Sequence, residues 1–201
     1  ARVDPTYHLR FGDGTELELT SDRERMREQL EAIESGSFAG FTRYMEEAAR
    51  RYQLAVPRFA AREYRSLAEF LSPSNVLMLA RLNALTRHYD DAGKYFKDER
   101  LRTAFTFQDL YLGLSPYAAP ATFTLLQWSE FAEGVWLPRG GMYSVVEALA
   151  SIAERWGVRF LYDTPVARID VTGDRATGVT LGDGARLGAD VVLANADLAY
   201  V

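Results

Sequence analysis

From Val135 to Asp197 the sequence runs through a fixed order of signals. A short apolar strand at Val135 leads into the turn Pro138-Arg139-Gly140-Gly141 and a helix from Met142 to Trp156 stopped by Gly157. Strand patterns follow near Val158–Tyr162, Val166–Thr172, Ala176–Leu181 and Val191–Ala194. A helix at 3.6-residue periodicity followed by strands at 2-residue periodicity limits this stretch to a sheet packed on a helix. The phosphate-binding signature G-x-G-x-x-G, which joins a strand to a helix, is absent from the chain. Gly12-Asp13-Gly14 and Gly182-Asp183-Gly184 come nearest, but each lies between alternating strand patterns, lacks the third glycine and reads as a hairpin turn.

Upstream of this stretch the chain is mostly helical. Tyr7, Leu9 and Phe11 alternate with polar residues before the first GDG turn, and Leu17 and Leu19 alternate after it, which predicts a hairpin with one apolar face. Ser21 and Glu24 have capping-box spacing, Met26, Leu30 and Ile33 fall at helical intervals, and Gly36 is a stop. Phe41, Met45, Ala48 and Tyr52 predict the next helix, ended by Pro57. Ser66 and Glu69 repeat the capping-box spacing before Pro73, and Leu79, Leu82, Leu85 and Tyr89 form an apolar face beyond it. Asp98 opens a helix through Leu101, Phe105 and Leu112, and Pro120 suits the first position of a helix running to Glu133. The composition shift near Gly134 predicts a helix-rich domain over 1–134 and a second domain over 135–201, an α+β chain.

Composition narrows the function classes. The chain has 201 residues, enough for one large domain or two small ones, and 48% hydrophobic content supports a real core. A net charge of −5 argues against a nucleic-acid partner, which requires a basic face. With no cysteine and only His8 and His88, disulfides, thiolate chemistry and a metal site are not expected, and a reducing compartment fits. Ala1-Arg2-Val3-Asp4 opens on polar sequence without a signal peptide, and no apolar run approaches the roughly 20 residues of a membrane span.

Chemistry is densest around Asp98, Glu99 and Arg102, with Tyr95 and Phe96 before them and Phe105 and Phe107 after. Asp98 and Arg102 share a helix face. One reading is structural, with Asp98 as N-cap, Glu99 at the positive helix end and Asp98–Arg102 as a solvated pair. The other places an acid and a cation at the wall of an apolar pocket, where the carboxylate takes a proton or stabilises positive charge on carbon. His8 and His88 read as surface or structural residues. Trp128, Phe131 and Trp136 read as core, or as the lining of a long apolar ligand. The amphipathic stretch Leu67–Tyr95 faces a protein core or lies on a membrane.

Three segments carry a resemblance: Tyr95-Phe96-Lys97-Asp98-Glu99-Arg100-Leu101-Arg102-Thr103-Ala104-Phe105-Thr106-Phe107, Leu112-Gly113-Leu114-Ser115-Pro116 and Gly134-Val135-Trp136-Leu137-Pro138-Arg139-Gly140-Gly141. Together with Pro5–Gly14, Gly178–Gly184 and Ala189–Asp197 they resemble bacterial-type phytoene desaturases from end to end. The resemblance implies an amine-oxidase-like flavoprotein with a flavin domain and a helix-rich substrate domain. It would desaturate linear C40 carotenes at a membrane surface, as a cytoplasmic, peripheral protein. The reaction so implied would send hydride to FAD and the proton to a base or solvent. By the same resemblance, Asp98 with Arg102 match the family's proposed acid/base and charge-stabilising residues. Val166 matches a strand residue near the adenine, Gly140, Gly141 and Asn195 match backbone positions near the cofactor, and Phe105, Phe107 and Trp136 are expected to line the substrate.

The chain departs from that pattern in lacking the phosphate loop and the C-terminal segment around the isoalloxazine ring. It is therefore expected to be the interior of a larger enzyme, binding FAD poorly by itself. Leu112-Gly113-Leu114-Ser115-Pro116 is less glycine-rich than is common in the family, leaving a related carotenoid or polyene oxidoreductase open. A non-catalytic lipid- or membrane-binding module and an amine or porphyrin-precursor oxidase are the other readings.

Overall fold

The computed structural model describes residues 1–197. The chain divides into two compact units, Ala1–Met142 and Tyr143 onward. Helices dominate the first and an antiparallel sheet the second, a mixed α and β chain.

In the first unit, β1 (Arg2–Val3) pairs antiparallel with β4 (Val135–Trp136), so the strand at Val135 closes this unit. β2 (Tyr7–Arg10) and β3 (Glu16–Leu19) form the expected hairpin, in register Tyr7↔Leu19 and Leu9↔Leu17, with Gly14 at φ 84° in the turn. The alternation buries Leu17 and Leu19 while Glu16 and Glu18 stay at the surface side. α1 (Arg23–Ile33) starts one residue later than the capping-box spacing suggests. Asp22 is the cap, accepting from the N–H groups of Glu24 and Arg25 at 3.0 and 3.1 Å, whereas the Ser21 hydroxyl donates to Asp4.

α2 (Ser37–Ala55) begins after Gly36 at φ 81° and continues into a π-helical turn, Val56–Ala60, that accommodates Pro57. α3 (Leu67–Phe70) keeps half of its expected capping box: Ser66 Oγ accepts from Glu69 N–H, but the Glu69 carboxylate turns to Arg65 N–H. The predicted apolar face from Leu79 to Tyr89 is not one helix. α4 (Pro73–Arg81) ends in a turn with Asn83 at φ 53°, and the chain restarts as α5 (His88–Ala92). Leu82 is therefore buried while Leu85 is 99% exposed.

α6 (Glu99–Ala104) also stops short of the predicted Leu112. The Thr106 hydroxyl donates to the Arg102 carbonyl at 2.8 Å and Thr106 N–H pairs with Thr103 instead, tightening the chain into a 3₁₀ segment, Phe107–Leu112. Pro120 precedes a short 3₁₀ turn, Ala121–Phe123, that leads into α7 (Thr124–Glu133). The core gathers Leu17, Leu19, Met26, Leu30, Tyr44 and Phe96 with Leu101 and Phe105. Phe96 and Phe105 stack with ring centroids 4.8 Å apart.

In the second unit, α8 (Tyr143–Arg155) is followed by the meander β5 (Val166–Thr172), β6 (Arg175–Leu181) and β7 (Arg186–Gly188), neighbours in that order. The second GDG turn joins β6 to β7, as its spacing predicts. The segments Val158–Tyr162 and Val191–Ala194, expected as strands, are not strands here. An apolar run becomes a strand only where a neighbouring chain takes up its backbone groups. Among the described residues no helix is long and apolar enough to cross a membrane.

Candidate functional site

Asp98 sits at the N-cap of α6, and its Oδ1 accepts from the backbone N–H of Arg100 at 2.8 Å. The predicted Asp98–Arg102 pair does not form. Asp98 instead binds the Arg100 guanidinium, Nε to Oδ1 at 3.0 Å and Nη2 to Oδ2 at 2.6 Å, and Arg100 reaches on to Asp13 at 2.8 Å. The reason is local: an N-cap carboxylate points back over the first turn, where Arg100 lies. Arg102 turns the other way and donates to the carbonyls of Phe96 and Lys97 at 2.8 and 3.1 Å, pinning the chain before the helix. The hydrogen bonds and charge of Arg100 hold the Asp98 carboxyl below its ordinary range despite partial burial. Such a carboxylate stays ionised, which suits stabilising a cation better than taking a proton.

The three residues expected to line substrate separate. Phe105 is fully buried in the core, stacked on Phe96 and beside Tyr44 and Phe41, so it cannot touch a ligand without unfolding its surroundings. Phe107 is half-buried against the Tyr7 ring at 5.0 Å. Trp136 is 64% exposed and donates from Nε1 to the Glu133 carbonyl at 2.9 Å.

Gly140 and Gly141 both lie at positive φ, 86° and 88°, which only glycine adopts without strain, and Gly141 N–H closes the turn onto Pro138 O at 3.1 Å. In the second unit, Val166 and Asn195 line one hollow of about 630 Å³, with Ile169, Val179 and Leu193 adding apolar side chains. Arg168 lines the same hollow, so its wall is mixed, apolar side chains with one guanidinium and one amide, a lining compatible with a flat heteroaromatic ring such as adenine. No group of His, Asp and Glu residues suited to a metal ion occurs among the described residues.

Two polar clusters escaped the sequence reading. His88, expected to be surface or structural, is fully buried. Its Nε2 lies 2.9 Å from the Tyr44 hydroxyl, its Nδ1 is 2.9 and 3.0 Å from the Asp109 oxygens, and Tyr44 donates to the Phe105 carbonyl at 2.7 Å. The second cluster joins β2, the 3₁₀ segment and α7. Gln127 Nε2 donates to Gln108 Oε1 at 2.7 Å, Gln108 Nε2 to Glu130 Oε2 at 3.3 Å, and the Tyr7 hydroxyl to Glu130 Oε1 at 3.4 Å. Tyr7 is also hydrogen-bonded to the Tyr111 hydroxyl. Only the spacing of Gln127 and Glu130, one turn apart in α7, could have signalled this cluster from sequence.

The profile of the family "Flavin containing amine oxidoreductase" matches residues 4–200. The zeta-carotene-forming phytoene desaturase of Myxococcus xanthus is 41% identical over 99% of this chain and 38% of its own length. The phytoene desaturase of Phycomyces blakesleeanus is 41% identical over 99% of this chain and 35% of its own. The 4,4'-diapophytoene desaturase (4,4'-diapolycopene-forming) of Methylomonas sp is 32% identical over 98% and 38%. The chain thus spans well under half the length of these relatives. Matched over nearly all of its residues, the chain belongs to the flavin-containing amine oxidoreductase family.

Proposed function

We propose that the chain is the interior portion of an FAD-dependent oxidoreductase that desaturates a linear carotene such as phytoene. In this reading residues 1–134 belong to a substrate domain and 135–201 to part of a flavin domain. The observation that carries it is the convergence of Val166 and Asn195 on one hollow, in a chain whose relatives are named phytoene desaturases. Bound FAD would supply the oxidising centre that accepts hydride from carbon. Val166 and Asn195 would hold its adenine end; independently, the positive φ of Gly140 and Gly141 leaves their backbone open to close approach by a cofactor, as residues with side chains would not at these angles.

Asp98, kept ionised by Arg100, would stabilise positive charge developing on the substrate carbon as hydride leaves. Arg102 positions this helix start through the Phe96 and Lys97 carbonyls. Without a G-x-G-x-x-G unit, residues 1–201 alone would bind FAD weakly.

Peripheral attachment to a membrane belongs to the same proposal, and the leucines of the α3–α4 region favour it. Leu67, Leu71, Leu77 and Leu85 are all exposed there. Leu82 is buried, so Leu85→Asp is the informative change: liposome co-sedimentation of the full-length enzyme should fall, and indifference would count against insertion at this place. The function itself is tested by producing the full-length protein in cells that accumulate phytoene and extracting the pigment. A product absorbing at longer wavelength is expected. Unchanged phytoene beside folded, flavin-loaded protein would overturn the proposal.

A further inference from the structure

Removing two hydrogens from adjacent carbons as hydride and proton requires a group to receive the proton. Asp98 is poorly suited, because Arg100 holds it ionised through two side-chain contacts and a backbone hydrogen bond. Glu130 is placed differently. It is half-buried, and the groups hydrogen-bonded to it are neutral: the Tyr7 phenol from β2, itself bonded to the Tyr111 phenol of the 3₁₀ segment, and the Gln108 amide backed by Gln127. Gln108 and Gln127 are fully buried, while Tyr111 is half-exposed. A hydrogen-bonded path therefore leads from an interior carboxyl group to solvent.

The amide pair gives the site its second property. With Glu130 ionised, hydrogen bonds run from Gln127 to Gln108 to the carboxylate. A half-turn of both amides exchanges oxygen for nitrogen at the same positions. A protonated Glu130 would then donate to Gln108, and Gln108 to Gln127. Both hydrogen bonds of the amide pair would then be kept with their direction reversed. The apolar rim is also present, since Leu110, Tyr111, Leu112 and Leu114, on and just after the 3₁₀ segment, are exposed.

We propose that Glu130 is the proton acceptor of the desaturation and that Tyr7 and Tyr111 carry the proton on to solvent. The inference rests on the desaturase reading above. Bound FAD would accept hydride from one carbon. The neighbouring C–H bond breaks, its electron pair becomes the new double bond, and its proton passes to the Glu130 carboxylate. Transfer through Tyr7 and Tyr111 to water restores the carboxylate. Burial supports this assignment by raising the Glu130 carboxyl above its ordinary range and by pushing the Tyr7 hydroxyl up to about 12, which keeps Tyr7 protonated as a carrier.

The test compares full-length wild type, Glu130→Gln and Tyr111→Phe. Turnover by the wild type on phytoene is measured first, so that an inactive wild type refutes the desaturase reading and not the acceptor assignment. With wild type active, Glu130→Gln should lower turnover on the order of 100-fold or more, abolish the rise of rate with pH on the acidic side, and leave melting temperature and flavin absorbance unchanged. Infrared titration, which does not depend on turnover, should show a carboxylic C=O band in wild type that Glu130→Gln lacks. Wild-type turnover and pH profile in Glu130→Gln would overturn the proposal, as would a loss that parallels loss of flavin from folded protein. Should Glu130→Gln fail to fold, Tyr111→Phe decides. A slower rate with an altered solvent-deuterium effect is expected, and an unchanged rate and isotope effect would overturn it.

Discussion

Substituting Asp98 separates its two roles. Its carboxylate caps α6 through Arg100 N–H at 2.8 Å and pairs with a guanidinium that is itself partly exposed. Replacement of an N-cap aspartate by alanine costs about 0.5–2 kcal/mol, and loss of a surface-type pair adds about 0.2–1 kcal/mol. Asparagine caps as well as aspartate and loses only the pair. Asp98→Asn should therefore cost under about 1 kcal/mol and Asp98→Ala about 1–3 kcal/mol. If the charge stabilises a cation in the reaction, Asp98→Asn should still lower turnover on the order of 100-fold, since that loss depends on charge and not on capping. The assay is chemical denaturation of the full-length variants beside carotene turnover at saturating substrate. Asp98→Asn with wild-type turnover would refute the electrostatic role and leave only the cap. Asp98→Asn as destabilising as Asp98→Ala would refute the division between cap and pair.

Other expectations concern the first unit. Phe105→Ala should destabilise by about 3–5 kcal/mol, the range for a buried aromatic, and the loss should show in denaturant midpoint and not in substrate selectivity, because Phe105 is fully buried. Gly40→Ala should be strongly destabilising, since the added Cβ would lie 2.2 Å from the Tyr95 carbonyl oxygen, and thermal melting checks it. Stability should fall as pH drops below the ordinary aspartate value of 3.8, because the buried Asp91, paired with Arg51 and Lys94, and Asp98, paired with Arg100, are both held lower in the folded state. The folded protein then binds fewer protons than the unfolded chain, so their stabilisation is complete above 3.8 and is lost as acid titrates the folded carboxyls. Asp98→Asn should show a shallower acid limb in pH-dependent melting.

Local signals were legible in the sequence where neighbours in the chain decide the outcome. Both GDG turns follow from glycine between alternating strands, and the helix start at Asp98 follows from its capping chemistry. Ser21 and Asp22 are both capping residues, and spacing alone could not choose between them; contact of Ser21 with Asp4, far off in the chain, does. The same limit hid the Asp98–Arg100 pair, because helical spacing favours Arg102 while cap geometry favours Arg100. Phe105 and Phe107 look alike in sequence, yet one is sealed in the core and the other half-buried, since the helix ends between them. The Glu130 cluster was illegible because Tyr7 and Glu130 meet only once the hairpin packs near α7. Val158–Tyr162 and Val191–Ala194 were misread as strands because apolar content marks burial potential, whereas a strand also needs a partner.

Carotene oxidation by a flavin in the full-length enzyme is the central claim, and anaerobic mixing of that enzyme with phytoene tests it most directly. Bleaching of the oxidised flavin absorbance is expected, matched by a carotene with one more double bond per flavin reduced. Flavin that remains oxidised in folded enzyme with phytoene bound would contradict it.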